Sequence, residues 1–275
     1  MCVARSSCSL QTGKQSMHVN PSHPYICGDA FKNLAAKWIE RSGVTVNPNG
    51  EPDVIYVESD LISSVMDHID SKCIVLSHNG DTGFCQDHLG MLNDKRIVAW
   101  YAQNAHVAHP KLHPLPIGIA NSKWSHGCVA TFDAALRFPI AKSKLFCAHY
   151  NNRTTDRERC ATATGVEPTT LSIPDYHKSL GESYFTLSPA GFGLDCHRTW
   201  EALYFKSIPI VPSATMFDSY PYPIIQLDAW SDFSSLNLSP ELYDATWKDF
   251  DVTRLTFDSF VGEFINLEIK GLVQQ

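Results

Sequence analysis

Residues 184–213, YFTLSPAGFGLDCHRTWEALYFKSIPIVPS, concentrate the residue types that hold an anion. A strand-like apolar stretch runs into a loop carrying Gly191 and Gly193, and a helical pattern opens at Asp195. Glycine lets the backbone approach a ligand closely and take dihedrals that other residues avoid. The start of a helix adds unpaired N–H groups that attract phosphate. Arg198 falls in that first turn, where its fork can meet a phosphate or a carboxylate. Glu201, three residues on, shares its face. One reading is a grip on a nucleotide, arginine to diphosphate and glutamate to ribose hydroxyls. The other is an i,i+3 surface ion pair, with Asp195 a simple helix cap. The glycine spacing fits neither G-x-G-x-x-G nor G-x-x-x-x-G-K-[ST], so neither a nicotinamide cofactor nor a P-loop is indicated.

The elements that must position these residues follow an α/β rhythm. Residues 29–42 carry Phe31, Leu34, Ala35, Trp38 and Ile39 at helical spacing, with Asp29 as cap and Gly43 as stop. Strands are expected at 53–59, 72–78 and 96–102, helices at 61–69 and near 84–93, and a proline-bounded extended piece at 113–119. The rhythm restarts after a short helix at 132–138 and a hinge over 139–144. Strands then fall at 144–150, 184–189, 208–213 and 222–228, and helices at 154–164, 176–183 and 195–206. An apolar terminal helix over 254–272 carries Phe257, Phe260, Phe264 and Leu267. Two α/β units in series suggest two Rossmann-like domains facing a central cleft, with ligands at the carboxyl ends of the strands. The expected division is a loose N-terminal arm at 1–23, a first domain at 24–138 and a second at 139–275 that ends in the terminal helix.

Composition narrows the function classes. The 275 residues carry a formal net charge of −7, which argues against a nucleic-acid surface. Nine cysteines lie scattered without a C-x-x-C, so reduced thiols and a reducing, cytosol-like compartment are expected. The first twenty residues lack the apolar core of a signal peptide, and no stretch approaches a membrane span. The expectation is a soluble, cytoplasmic protein (host cytoplasm if viral).

The run SPAGFGLDCHRTWEALYFKSIPIV closely resembles the C-terminal motif of exostosin-like glycosyltransferases, in its glycines, aspartate, arginine, Trp-Glu pair and following I-P strand. KLFCAHYNNRTTDRER is similar to the opening of that family's donor domain, with Asn151 and Arg159 on its pattern. QNAHVAHPKLHPLPIGIANSKWSHG looks like a further segment of its soluble members. The resemblance covers roughly residues 72–230 and leaves the first 50 unmatched. It implies a GT-B fold, with 24–138 as the acceptor-side domain and 139–275 as the nucleotide-sugar-binding domain, and inverting transfer from a nucleotide sugar to a glycan acceptor without a metal or other cofactor. Donor-side residues would be Arg198, Glu201, Asp195, Gly191, Gly193, Arg159 and Asn151. A small member looks like those that decorate bacterial or large-virus glycans, and UDP-xylose is the first donor to try. A catalytically inactive glycan- or nucleotide-binding protein of the same fold is the alternative.

Inverting transfer needs a base for the acceptor hydroxyl and cations for the leaving diphosphate. IVLSHNGD, residues 74–81, ends a strand with His78 and Asp81 and resembles an H-N-(S/G)-D segment of the family. Asp81 is the first candidate base and His78 the second. Asp81 could also be a turn or cap residue. His106, His109 and His126 form no compact zinc pattern. Tyr220 and Tyr222 either border the ligand or pack.

Overall fold

The computed structural model describes residues 22–138, 140–151 and 153–265. Most of the expected arm, Pro139 of the expected hinge, and Leu267 with the far end of the terminal helix lie outside the described residues. The fold is mixed α/β with two sheets. The first contains β1 (Ala35–Glu40), β2 (Gly43–Val46), β3 (Glu51–Glu58), β4 (Cys73–His78), β5 (Ile97–Gln103) and β6 (Leu112–Leu115), in the order β2-β1-β3-β4-β5-β6. Only the β1–β2 pairing is antiparallel. The second is wholly parallel, in the order β10-β9-β8-β7, from β7 (Lys144–Cys147), β8 (Ser183–Leu187), β9 (Ile208–Pro212) and β10 (Ile225–Leu227).

The helix expected over 29–42 ends early. Helix α1 (Gly28–Leu34) gives way to β1, so Trp38 and Ile39 belong to a strand. The reason is the sheet: Trp38 pairs with Thr45 on one side and Tyr56 on the other, and Gly43 at φ 116 turns the hairpin. Those two ladders outweigh the helical spacing of Phe31, Leu34, Ala35, Trp38 and Ile39. The segments expected as helices at 61–69 and 84–93 are 3₁₀ helices, Ser59–His68 and Gln86–Asn93.

Both faces of the first sheet are covered, as the apolar strands demand. Ile55 and Val57 of β3 meet Ile62, Val65 and Leu92 of the 3₁₀ crossovers. The alternate residues, Val54 and Tyr56, face a core built by Phe31 of α1 and by Phe260 and Ile265 near the chain's end. Those last two come from α8 (Phe257–Phe260) and the π turn Val261–Ile265. That core continues through Phe132 of α2 (Val129–Leu136) to Leu180, Trp200, Leu203 and Val211 beside the second sheet. One apolar core therefore joins the two sheets.

Around the second sheet stand α3 (Thr155–Thr164), α4 (Ile173–Glu182), α5 (His197–Tyr204), the short α6 (Thr215–Asp218) and α7 (Pro240–Trp247). Thr154, Ser172 and Ser239 cap α3, α4 and α7 by accepting backbone N–H bonds. Helix α7 has no counterpart in the sequence reading. Strands run in chain order in both sheets, apart from the β2 hairpin at one edge, so neither contains the reversal that opens a crevice in doubly wound sheets. The crevice forms instead between the carboxyl ends of the two sheets.

Candidate functional site

Two cavities share a wall along that junction. The larger, about 530 Å³, is lined by Arg157, Tyr176, Gly191, Arg198 and Glu201 from the second half and by Asp81, Gln103 and Asn104 from the first. The smaller, about 380 Å³, is polar and holds Arg41, Glu58, Asp60, Lys123 and Trp124. Asp81, Gln103, Ile117 and His197 line both.

Strand ends set the first-half wall. Asn79 and Asn104, just past β4 and β5, adopt left-handed φ of 64 and 56. Asparagine tolerates this conformation better than most residues, and strain of this kind collects at functional sites. Asn79 is held there by its N–H bond to Gln103 Oε1 at 3.0 Å and by accepting Asn121 Nδ2 at 2.9 Å. The following turn presents Asp81, which is exposed and lines both cavities.

His78 does not share that freedom. Its ring is 1% exposed, its Nε2 donates to Pro116 O at 3.1 Å, and its Nδ1 accepts Asn79 N–H at 2.8 Å. Burial pushes its pKa down to about 4, so it stays neutral. With both nitrogens engaged, His78 orders the loop that carries Asp81 and has no lone pair left for a substrate proton.

Asp195 is likewise a bracket. Its Oδ2 accepts Ile117 N–H at 2.9 Å and Trp200 Nε1–H at 2.5 Å, and its Oδ1 accepts Cys196 N–H at 2.7 Å. Burial raises its pKa to about 6 against those three donors. The helix begins at His197 rather than at Asp195, with Cys196 at the cap position. The carboxylate thus ties the glycine loop to the first half. Gly193 serves the same junction: a Cβ there would lie 2.3 Å from Asn104 Oδ1, which accepts Leu194 N–H at 3.0 Å. Neither Gly191 nor Gly193 has a positive φ, so the loop needs glycine for proximity rather than for dihedral freedom.

Arg198 and Glu201 are buried, at 8% and 5% exposure, which removes the surface ion-pair reading. No ion pair joins them within 4.0 Å among the described residues. Glu201 Oε2 accepts Tyr176 O–H at 2.7 Å, and burial holds its pKa above the usual carboxylate value. The Arg198 guanidinium lies 5.2 Å from the Tyr150 ring centroid and donates to Pro189 O at 2.7 Å and, at a longer 3.4 Å, to His149 O. Its Nε is buried and unpartnered.

Arg157, which sequence reasoning passed over, completes the pair. Its NH1 donates to Asn151 Oδ1 at 2.6 Å, and its Nε is buried without a partner. Burial, followed by repulsion from Arg198, lowers its pKa from the usual arginine value. Arg159, the expected cation, faces elsewhere: it lines a separate cavity with Asp156, Pro212 and Trp230. Two residues along a helix turn the side chain by about 200°, so Arg157 and Arg159 cannot share a face. Asn151 does line the large cavity, through the company of Arg157. The helix at 154–164 was legible, but which of its faces meets the cavity is decided by the packing of Cys160 into the core of the second sheet.

Tyr220 and Tyr222 pack. Tyr220 donates to Pro114 O, and Tyr222 meets Trp200 edge-on at 5.3 Å. His126 lines the large cavity, whereas His109 accepts Lys111 N–H within its own turn.

The arrangement suits a divalent organic anion. Two guanidinium groups, neither with a carboxylate within 4.0 Å among the described residues, converge on one cavity with unspent donors. A buried cation without a counter-ion is costly, and a phosphate chain offers both charge and acceptors.

Residues 152–236 match the family model described as RXYLT1 C-terminal domain, from a xylosyltransferase-related family. The matched span contains Arg157, Tyr176, Gly191, Gly193, Asp195, Arg198 and Glu201. No curated protein matches the chain closely enough to count as a relative. Among the described residues, no helix is long and apolar enough to cross a membrane.

Proposed function

We propose that the chain is a glycosyltransferase of GT-B type that holds a UDP-sugar in the larger cavity and transfers the sugar to a glycan hydroxyl. The observation that carries this reading is the pair Arg157 and Arg198, half-buried and buried respectively, mutually repelling and free of acidic partners among the described residues. Their role would be to bind the diphosphate and to stabilise the charge that develops on it as the glycosidic bond breaks. Two fixed cations can do this without a metal. Glu201, steadied by Tyr176, would receive the ribose hydroxyls. The xylosyltransferase-related family match over this half supports the transferase reading and makes UDP-xylose the first donor to test.

The smaller cavity would take the acceptor. Trp124, 55% exposed, offers a flat apolar face there, and Glu58, Asp60 and Asp81 offer acceptors for sugar hydroxyls. The reacting hydroxyl would enter at the shared wall, where Asp81 and His197 are the two groups able to accept a proton. An acceptor entering from the smaller cavity, opposite a diphosphate held by Arg157 and Arg198, would attack with inversion, and the shared wall of the two cavities supports that reading.

Calorimetry of UDP binding to Arg198→Ala tests the donor assignment. Loss of charge-assisted hydrogen bonds worth about 1.5–3 kcal/mol should raise Kd roughly 10- to 150-fold, with the circular dichroism spectrum unchanged. Unchanged affinity would remove the assignment. The inactive-binder reading differs in one respect: UDP would bind, and no UDP-sugar would turn over.

A further inference from the structure

Resting on the transferase reading, the geometry points to His197, rather than Asp81 or His78, as the general base that deprotonates the acceptor hydroxyl. His197 opens α5 beside Arg198, on the wall common to both cavities. Its Nδ1 lies 2.7 Å from Gly118 O. A carbonyl oxygen can only accept, so Nδ1 carries the proton and Nε2 keeps its lone pair. Nε2 has no hydrogen-bond partner among the described residues.

The ring's position is fixed from two sides. Gly118 has φ 65 and packs so tightly on Ile26 that a Cβ would lie 2.0 Å from Ile26 O, which orients the carbonyl that holds Nδ1. His126 meets the ring edge-on at 6.2 Å. The titratable and charged groups facing His197 are His126 and Asp81 across the cavity, His78 behind it, and Arg198 and Glu201 on its own helix. No carboxylate bonds the ring, and burial lowers its pKa, so it is neutral at pH 7.

The proposed step balances simply. The acceptor O–H bond breaks and its proton goes to His197 Nε2, giving an imidazolium. The oxygen lone pair forms the new bond to the anomeric carbon. The bond from that carbon to the diphosphate oxygen breaks, and its electron pair leaves on UDP between Arg157 and Arg198. Asp81, exposed and without a fixed hydrogen bond of its own, would then serve to bind an acceptor hydroxyl. His78 has no free nitrogen. General-base catalysis by a positioned imidazole typically contributes about 100- to 10,000-fold.

The test compares His197→Asn and Asp81→Asn in the full chain. Asparagine can keep a donor to Gly118 O while removing the base. Rates are read as UDP release from UDP-xylose with water or p-nitrophenyl β-glycosides as acceptor, and UDP affinity is read by calorimetry. The expected result is a rate at least about 100-fold lower in His197→Asn with UDP Kd within about twofold, and a smaller loss in Asp81→Asn. In wild type, activity should fall as pH drops through the His197 titration, below the usual histidine value, and His197→Asn should lose that limb. A rate within fivefold of wild type, or a loss of UDP affinity that accounts for the effect, overturns the assignment. Nitrogen-15 spectra of the imidazole give a readout without turnover: His197 as the Nε2–H tautomer or as imidazolium at pH 7.5 also overturns it. If wild type fails to bind UDP, the transferase reading falls first and this one with it.

Discussion

Arg157→Ala separates a site arginine from a structural one, because the two roles predict opposite effects on the free protein. In the structure Arg157 donates only to Asn151, leaves Nε unpartnered and is repelled by Arg198. Removing it relieves that repulsion and costs one local contact, so the ligand-free melting temperature should hold or rise. UDP affinity should fall by about 2 kcal/mol, the scale of a charge-assisted hydrogen bond, or roughly 30-fold in Kd. At a UDP concentration near 100 Kd for wild type, stabilisation is about 2.7 kcal/mol. The same concentration is then only about 3 Kd for the variant, and stabilisation drops to roughly 0.9 kcal/mol. Paired thermal scans with and without UDP measure both quantities, and calorimetry checks the Kd directly. A lower ligand-free melting temperature with an undiminished UDP shift would show that Arg157 supports the fold, refuting its donor role.

Arg159→Ala should leave UDP affinity within about twofold, since that side chain lines a different cavity; calorimetry on the variant checks it. Trp124→Ala should raise the acceptor KM while leaving UDP binding unchanged, the loss of a stacked sugar face being worth about 1–2 kcal/mol; initial-rate kinetics separate the two. Asp195 gives a pH signature in stability. Its folded pKa of about 6 lies above the ordinary 3.8, so between those values the folded protein keeps a proton that the unfolded chain has lost. The contribution of this group to stability is therefore full below about pH 4 and is lost as pH rises to about 6. Asp195→Asn should flatten that slope in urea titrations. It should also lower stability by about 3 kcal/mol, because an NH₂ replaces an oxygen that accepts N–H groups.

Much of the second half was legible because its signals are local. Strand, glycine loop and helix at 184–204 follow one another in the sequence, so Arg198 and Glu201 could be placed on one helix before any contact was known. What they do was not legible. Their burial depends on Tyr150 and Tyr176, which arrive from other segments and turn a plausible surface pair into two separate buried groups. Asp195 and Gly193 were visible as special residues, yet their partners Ile117 and Asn104 lie 78 and 89 positions away. Burial of His78 and exposure of Asp81, three residues apart, likewise follow from packing of β4 in the interior of its sheet. The misread stretch at 35–40 shows the same principle at the level of secondary structure. A short apolar pattern fits either period, and two ladders decided it, the β1–β2 hairpin and the parallel pairing with β3.

The most direct measurement is calorimetric titration of the full chain with UDP, UMP, GDP and CMP in the presence of EDTA. A diphosphate gripped by Arg157 and Arg198 requires saturable binding of UDP without metal, weaker binding of UMP, and loss of the UDP advantage in Arg198→Ala. UDP and UMP binding equally, or no nucleotide binding to a folded sample, would contradict the assignment of the larger cavity as a nucleotide-sugar site.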